Sequence, residues 1–469
     1  MVNDALASLI AAEERERLWE RRIVGYPIWG LMRLERYRSA LLHGETVIRA
    51  GPVPSRLEVL KRLARTAGQT LIQGRPPNNG RDIWVISSST YRRRTSEGAY
   101  PCIFVEHLRE QLGHRLMFME VNTAGLPIAD RDDVYLLDGY VQHINAWASA
   151  LAAGVARAAV SENDLQAFAP APATSLVRTA LYGQMLERLA AGLLRTAAPR
   201  AVFVLCGYAS MIPFQRAVRR AGIPLIELQH GVIHDSHPGY IFQASVPERD
   251  HRPDHILLFG RHFGEILDRN SPGLASSWSV AGHPWLRRVR AAAHTEPASL
   301  GRPTEEVVVF GQYDPPIQAQ LKTFVPELRR ALSPRIQLVY KPHPREPIGQ
   351  LEAAFRIPGL SIADPSDDAY ALLKRCVASV TVHSTLAIEA LAFPCRSIVI
   401  RSPQWSEDIA NLVLQGTLYP AESAEDVVRI ITAPLEREGG WAGQLFGTND
   451  PEPDFLELID RVGRGERVR

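Results

Sequence analysis

The sequence predicts an α/β protein made of two doubly wound, Rossmann-like halves, and two observations support this prediction. Short apolar runs that suit buried parallel strands alternate with segments of helical period, first within 83–231 and again within 255–400. Between the two series, residues 243–254 are irregular and polar, as a linker would be. We therefore expect an N-terminal domain at 1–250, a second domain at 251–430 and a closing segment at 431–469.

The individual elements follow from local pattern. Helical period is clearest at 4–24, 144–160 and 175–197. The strand candidates are apolar runs that end in small or polar residues: 83–90, 116–122, 201–207, 223–231, 255–260, 279–284, 305–316, 336–344, 359–364, 378–384 and 396–400. Ligands of such sheets bind at the carboxyl ends of the strands, so we expect a site in a cleft between the two halves.

Composition excludes several classes of protein. The 469 residues include 53 Lys+Arg and 51 Asp+Glu, a balance that argues against a nucleic-acid partner. The four cysteines have no paired spacing, so we expect neither a disulfide framework nor a metal site, and no cofactor. No run of about 18 apolar residues suggests a membrane span, and the N-terminus lacks the pattern of a secretory signal, which together predict a cytoplasmic protein.

Segment 22–42 mixes aromatic, aliphatic and basic residues and allows two interpretations. The favoured one is a helix that packs on its own domain. The alternative is an amphipathic surface that rests on anionic lipid, which would make the protein peripheral at the inner membrane.

The first chemical motif follows the strand candidate at 223–231. Gln229, His230 and Gly231 end this strand, and His234 and His237 lie in the loop that follows. A histidine at the carboxyl end of a parallel strand is well placed for proton transfer or phosphate contact, so His230 is a candidate catalytic residue. The alternative is a core histidine whose hydrogen bonds are satisfied in a turn.

The second motif, Lys-Pro-His-Pro-Arg at 341–345, ends the strand candidate at 336–344. Its two prolines restrict the backbone and favour extended geometry in the residues before them. The arrangement predicts that Lys341 and His343 point outward at an anion, the alternative being an exposed basic turn.

The third motif places Ser384 and Thr385 after a strand that ends at His383, with Glu389 about one helical turn further on. Free N–H groups at a helix start and two hydroxyl groups suit a phosphate, and Glu389 would reach a ribose hydroxyl. The alternative is an ordinary N-cap.

Two weaker candidates complete the set. Arg92 and Arg93 follow the first strand and would bind an acidic acceptor, and Glu97 supplies a carboxylate before a glycine. Gln312 follows the first strand of the second series and is expected to face the cleft. Motifs typical of dinucleotide oxidoreductases, P-loop kinases, α/β-hydrolases and zincins do not occur.

These motifs resemble those of bacterial GT-B glycosyltransferases of surface-polysaccharide synthesis. The His-Pro and Ser-Thr motifs are similar to those of capsule Kdo transferases, sialyltransferases and polysialyltransferases, in which they bind the CMP part of a CMP-sugar. The residues carried over for donor binding are Lys341, His343, Pro344, Ser384, Thr385, Glu389 and Gln312. The sialyltransferase acidic pair corresponds to 96–97, of which only Glu97 is acidic.

The resemblance implies a GT-B-like fold and a metal-independent transfer of Kdo or a sialic-acid-like sugar from a CMP-activated donor. His230 or Glu97 would deprotonate the hydroxyl of a carbohydrate or lipid-linked acceptor. The implied acceptor-binding residues are Arg92, Arg93, Gln229, His234 and His237. Two alternatives remain: a CDP-polyol phosphotransferase, since the Gln-His-Gly stretch also resembles teichoic-acid glycerophosphotransferases, and a non-catalytic subunit of polysaccharide assembly.

Overall fold

The computed structural model of the chain divides into two compact units. Unit 1 comprises Met1–Arg92, Cys102–Ala281 and Pro451–Arg469, and unit 2 comprises Arg93–Pro101 and Gly282–Asp450. The structure describes residues 2–41, 80–92, 99–122, 125–126, 131–243, 252–272, 274, 276–288, 305–312, 314–343, 346, 349, 353, 355–364, 367–402, 407–414, 416–434, 441–447 and 452–466.

Unit 1 is built on a parallel sheet of seven strands, in the order β5-β4-β3-β6-β7-β8-β9. A two-stranded antiparallel hairpin, β1 (Arg22–Ile23) and β2 (Tyr26–Pro27), precedes it. The sheet strands are β3 (Ile83–Ser88), β4 (Leu116–Val121), β5 (Val134–Leu136), β6 (Ala201–Val204), β7 (Leu225–Leu228), β8 (His255–Leu258) and β9 (Ser277–Val280). The unit's helices are Val2–Arg15, Trp29–Leu41, Glu106–Leu112, Asp138–Ala159, Glu162–Ala167, Ala173–Ala197, Ile212–Arg220, Arg261–Asn270 and Phe455–Gly463.

The central strands of unit 1 are mostly apolar because helices cover both faces of a parallel sheet. Trp84 and Ile86 of β3 and Val202 and Val204 of β6 are almost completely buried in one cluster. At the edge, β9 joins through side chains as well as backbone: the ring nitrogens of His255 lie 2.7 Å and 2.8 Å from the hydroxyls of Ser277 and Ser279. The sheet is therefore apolar at its centre and held by polar groups at its rim.

Unit 2 contains a parallel sheet of six strands, in the order β12-β11-β10-β13-β14-β15. Its strands are β10 (Glu306–Phe310), β11 (Gln337–Lys341), β12 (Leu360–Ile362), β13 (Ala378–Thr381), β14 (Arg396–Ile400) and β15 (Tyr419–Ala421). Its helices are Pro315–Ala331, Ala369–Arg375, Thr385–Glu389, Glu407–Leu414, Ala424–Thr432 and Trp441–Phe446. Val307 and Val309 of β10 are fully buried at the centre of its core.

Both sheets have the same winding. Counted from the first strand of each sheet, β3 or β10, both orders begin 3-2-1-4-5-6, which is the doubly wound Rossmann arrangement. The direction of winding reverses between β3 and β6 in unit 1 and between β10 and β13 in unit 2. Loops at the carboxyl ends of those strands are where such sheets bind ligands. The predicted fold class, two Rossmann-like doubly wound sheets, is confirmed.

The division of the chain differs from the expected one at residue 250. The strand candidates at 255–260 and 279–284, assigned from sequence to the second half, are β8 and β9 of the first sheet. The boundary therefore moves from 250 to Ala281–Gly282. The reason is that alternation of strands and helices continues unchanged through 255–280, so local pattern does not show which sheet a strand joins.

The closing segment expected at 431–469 is also divided. Trp441–Phe446 belongs to unit 2, whereas Phe455–Gly463 returns to unit 1. There Phe455 is completely buried, with its ring centroid 5.0 Å from that of His107 and 6.4 Å from that of Phe203. The last helix is thus part of the core of unit 1.

Segment 22–42 follows the favoured interpretation. It consists of the β1–β2 hairpin and the helix Trp29–Leu41, and its residues Ile23, Tyr26, Ile28, Trp29 and Tyr37 are buried. These five side chains belong to the core of unit 1, whereas Leu31, Met32 and Leu34 are partly exposed. Within the described residues, no helix is both long and apolar enough to cross a membrane.

Candidate functional site

In unit 1, aromatic and histidine side chains gather at the carboxyl ends of β3, β6 and β7. We call Tyr91, Tyr208, His230, His237 and Tyr240 the Tyr–His cluster. The His230 ring centroid lies 5.5 Å from that of Tyr91 and 5.7 Å from that of Tyr208. The His237 ring lies 5.2 Å from Tyr208 and 4.8 Å from Tyr240. Because β3 and β6 flank the point where the winding reverses, the cluster lies where a ligand of this sheet is expected.

Hydrogen bonds connect the two histidines through one hydroxyl. The backbone N–H of Gly239 donates to Nδ1 of His237 (3.0 Å), so the ring proton of neutral His237 is on Nε2. That Nε2 lies 3.4 Å from the hydroxyl of Tyr208, which in turn lies 3.3 Å from Nε2 of His230. The arrangement suits a relay in which His237 donates to Tyr208 and Tyr208 donates to His230.

His230 is the predicted catalytic residue, and its surroundings keep the ring neutral. Loss of hydration on burial lowers its pKa to about 4, since the charged form loses more solvation than the neutral one. Its Nδ1 atom is buried and has no hydrogen-bond partner among the described residues. In the relay above, Nδ1 carries the ring proton, and Nε2, which accepts from Tyr208, is the nitrogen that can take up a proton.

Glu227, a residue not predicted from the sequence, is hydrogen-bonded to Tyr240 of the Tyr–His cluster. Its carboxylate is 1% exposed and accepts hydrogen bonds from the Tyr240 hydroxyl (2.7 Å) and the Gly207 backbone N–H (2.9 Å). Burial raises its pKa to about 7, and these two hydrogen bonds oppose the rise only in part. A cavity of about 20 Å³, lined in part by Glu227, Tyr240 and Arg33, has room for about one water molecule.

Two of the predicted acceptor-binding residues, Gln229 and Arg92, have internal partners. Gln229 is buried: its amide oxygen accepts from the Phe259 backbone and its amide nitrogen donates to the Gly231 carbonyl, so it fixes the loop. Arg92 is 4% exposed and paired with Glu120, with 2.7 Å between Nη2 and Oε2. Both side chains thus have the internal partners that a buried amide or guanidinium needs.

The remaining acceptor candidates divide between the cluster and the undescribed part of the chain. Nδ1 of His234 lies 3.1 Å from the Ser236 hydroxyl, and its ring lies 5.1 Å from that of His237, at the border of the cluster. Arg93, Glu97 and the donor candidate Pro344 lie outside the described residues.

In unit 2, the loops after β10, β11 and β13 meet at one edge, because these three strands are adjacent and parallel. Gln312 follows β10 and is buried. Its amide oxygen accepts from the backbone N–H groups of Val382 (3.2 Å) and His383 (3.1 Å), and its amide nitrogen lies 3.2 Å from Nδ1 of His383. Gln312 therefore connects β10 to the loop after β13.

The loop after β11 is built around Glu346, which accepts hydrogen bonds from the Tyr340 hydroxyl (2.8 Å) and the His343 backbone N–H (2.5 Å). Lys341 is buried, donates to the Pro342 carbonyl (3.3 Å), and its charge favours the ionised form of Glu346. Burial nevertheless raises the pKa of Glu346. Lys341 thus acts electrostatically on an internal carboxylate, whereas His343 of the same loop is partly exposed.

Ser384 and Thr385 begin the short helix Thr385–Glu389 after β13. The Ser384 hydroxyl accepts from the Leu386 backbone N–H (3.2 Å), as an N-cap does. Glu389 accepts from the Tyr370 hydroxyl (2.8 Å). Ser384 therefore has a capping role, Glu389 has an internal partner, and Thr385 is an exposed hydroxyl at the helix start.

The residues missed by sequence reasoning have one signal in common. Glu227, Tyr208 and Glu346 are polar residues within or beside the apolar strand ends that carried the selected motifs. Their partners are, respectively, Tyr240, His230 and Tyr340. These pairs form only when the loops fold, so local sequence does not predict them. Within the described part of the chain, no group of three or more His, Cys, Asp or Glu side chains is arranged to hold a metal ion.

Comparison with known proteins gives similarity of structure only. No family model matches the chain, and no curated protein matches its sequence. The UDP-GlcNAc 2-epimerase of Methanocaldococcus jannaschii is 10% identical, with a TM-score of 0.49, covering 81% of this chain and 99% of that chain. That of Rickettsia bellii is 13% identical, with a TM-score of 0.45 and coverage of 81% and 98%.

A trehalose-6-phosphate synthase is 12% identical to this chain, with a TM-score of 0.41 and coverage of 82% and 96%. At these levels of identity, the likeness to the two epimerases and to this synthase concerns the fold alone.

Proposed function

We propose that the protein is a glycosyltransferase that takes a sugar, Kdo or sialic-acid-like, from a CMP-activated donor. In this proposal unit 2 binds the nucleotide and unit 1 binds a carbohydrate or lipid-linked acceptor. The observation that carries the proposal is the position of the motif loops of unit 2. They follow three adjacent strands and surround the point where the 3-2-1-4-5-6 winding reverses.

The proposed nucleotide site depends on hydrogen-bond donors more than on net charge. The one lysine of the motifs, Lys341, is buried and donates a hydrogen bond to the Pro342 carbonyl. The phosphate would therefore be held by His343 and by the hydroxyl of Thr385. Donors placed where negative charge develops on the leaving phosphate stabilise the transition state of sugar transfer.

For unit 1 we propose that His230 receives the proton of the acceptor hydroxyl. A base has to be unprotonated at working pH, and the lowered pKa of His230 meets this condition. Its Nε2 faces the Tyr208 hydroxyl, so the proton passes through Tyr208: the phenol takes the acceptor's proton as it gives its own to His230. The acceptor oxygen is then free to attack the anomeric carbon, and the bond to CMP breaks.

The nucleotide site is tested by calorimetry with CMP, CDP, UDP and UDP-GlcNAc. We expect CMP to bind, and His343→Ala and Thr385→Ala each to weaken it by about tenfold or more, because each removes a hydrogen bond to a charged group. Thr323→Ala, an exposed threonine of the helix Pro315–Ala331, is the matched control. Absence of CMP and CDP binding in the wild type, or unchanged binding in His343→Ala, would overturn the proposal.

The reaction is tested by measuring CMP release from CMP-Kdo, CMP-sialic acid and CDP-glycerol in the presence of candidate acceptors. A glycosidic product from a CMP-sugar supports the proposal, and we expect Tyr208→Phe to slow this reaction more than it weakens CMP binding. A phosphodiester product from CDP-glycerol would instead identify a phosphotransferase on the same scaffold.

A further inference from the structure

Gln312 and His383 form a hydrogen-bonded pair at the point where the winding of unit 2 reverses. Gln312 follows β10, His383 follows β13, and these strands are neighbours. The amide oxygen of Gln312 accepts from two backbone N–H groups, those of Val382 and His383. An amide nitrogen in that position would face two donors, so the orientation of the Gln312 amide is fixed.

The fixed amide determines which nitrogen of His383 carries the proton. The Gln312 amide nitrogen is a donor only, and it lies 3.2 Å from Nδ1 of His383. Nδ1 must therefore accept, and the proton of the neutral ring is on Nε2. The buried Gln312 holds this state, while the His383 ring itself is partly exposed at the edge of the sheet.

We propose that His383 donates its Nε2–H to a phosphate oxygen of the bound nucleotide, and that Gln312 is the positioning residue that keeps Nε2 a donor. The inference rests on the proposed nucleotide site and adds to it a specific contact. The opposite tautomer would present the lone pair of Nε2 to the phosphate and repel it. The buried Gln312 prevents this tautomer from forming. His383 thus joins His343 and Thr385 as a phosphate-binding residue.

The tautomer is measured first, without any ligand. Nitrogen-15 NMR of the histidine rings in the full-length protein is expected to show His383 protonated at Nε2 and unprotonated at Nδ1. Gln312→Glu has almost the same shape but offers only acceptors, so it should move a proton to Nδ1. A wild-type proton on Nδ1, or an unchanged ring state in Gln312→Glu, would overturn the positioning role.

The contact is measured with a matched pair of substitutions. The amide nitrogen of glutamine lies near the place of imidazole Nε2, and that of asparagine near the place of Nδ1. We therefore expect His383→Gln to retain CMP affinity within about threefold and His383→Asn to lose about tenfold to a hundredfold, the effect of one hydrogen bond to a charged group. Circular dichroism of both variants checks that they fold.

The outcomes separate this inference from the proposed function. If wild-type protein binds no CMP or CDP, the nucleotide site is wrong whatever the NMR shows. If the wild type binds CMP and the two variants bind it equally well or equally poorly, the site stands and the contact through Nε2 of His383 is wrong.

Discussion

Glu227 is a carboxyl group that folding removes almost completely from water. Two hydrogen bonds, from Tyr240 and from the backbone of Gly207, hold one of its oxygens. They do not replace the lost hydration, so its pKa rises from 4.5 to about 7. Folded protein therefore binds a proton at this residue in a pH range in which the unfolded chain does not.

This difference predicts a pH-dependent effect of Glu227→Gln. Between pH 4.5 and about 7 the folded state holds more protons than the unfolded state, so this group makes the free energy of unfolding fall as pH rises. Above pH 7 the free energy of unfolding is lower by about 3 kcal/mol, because the pKa of Glu227 rises from 4.5 to about 7 on folding. Glutamine keeps the acceptor oxygen and has no charge, so the variant should gain about this amount over wild type between pH 4.5 and pH 8.

Urea unfolding of both proteins at several pH values measures the difference. The buried histidines titrate in the same range with the opposite sign, but they are common to both proteins and cancel. A difference that does not change with pH would show that folding leaves the pKa of Glu227 unchanged.

Removal of the Tyr208 hydroxyl group should change both stability and the state of the neighbouring histidines. Tyr208→Phe keeps the ring but breaks the connection between His237 and His230, so we expect a loss of about 1 kcal/mol of stability and a change in the His230 ring nitrogen signals. Tyr182→Phe, which removes a hydroxyl that donates to the Ser210 carbonyl at 3.3 Å, is the control. Unchanged His230 signals in Tyr208→Phe would contradict the relay.

At this scale the sequence predicted residue positions better than residue roles. His230, His343 and Thr385 do lie at strand ends, since a strand end can be recognised from local pattern. Gln312, Gln229 and Arg92 lie there as well, but their polar groups bond inside the protein. A polar side chain at a strand end turns inward when a hydrogen-bonding partner lies on a neighbouring strand or loop. Such partners are distant in sequence, so local pattern does not reveal them.

At the scale of elements, the two longest helices described in unit 1 each contain a glycine, and only one of these glycines is in close contact with another element. Helix Ala173–Ala197 contains Gly183, where an added Cβ would overlap the ring of Tyr26 in the β1–β2 hairpin. Helix Asp138–Ala159 contains Gly154, where an added Cβ would meet nothing within 4 Å. The first glycine is required by packing and the second is not.

The two glycines therefore predict opposite effects of the same substitution. Gly154→Ala should stabilise the protein by up to about 1 kcal/mol, because alanine favours helix and no neighbour has to move. Gly183→Ala should destabilise it by about 1–3 kcal/mol, because the hairpin has to shift. Urea denaturation midpoints measure both effects. Equal effects of the two substitutions would mean that the hairpin does not pack on this helix.

Most elements were predicted within a few residues, and the exceptions have physical causes. The strands β5 and β15 were not predicted because each has only three residues and is only partly buried. The strands β8 and β9 were recognised but placed in the wrong sheet, because pairing partners are not a local property. Local chemistry predicts the type of element, whereas register and sheet membership come from tertiary packing.

At the scale of the whole molecule, unit 2 is inserted into unit 1, whose last helix comes after it in the chain. This arrangement predicts that Phe455→Ala destabilises unit 1 by about 3–5 kcal/mol, because it removes a fully buried aromatic ring next to His107 and Phe203. Hydrogen exchange should accelerate in β3 and β6. Glu457→Ala, an exposed position on the same helix, should change stability by less than about 0.5 kcal/mol.

Strands of unit 2 provide the internal reference for this measurement, since Phe455 belongs to unit 1. Faster exchange in β10 and β13 with no change in β3 and β6 would contradict the assignment of the last helix to unit 1.

The return of the last helix to unit 1 also has a consequence for synthesis. A ribosome makes the chain from its N-terminus, and domains fold as they emerge. All of Gly282–Asp450 emerges before Phe455, so unit 2 is ready to fold while the pocket at His107 and Phe203 still lacks its aromatic ring. The unit that is begun first is therefore finished last, and during that interval the nascent chain exposes an apolar patch suited to chaperones.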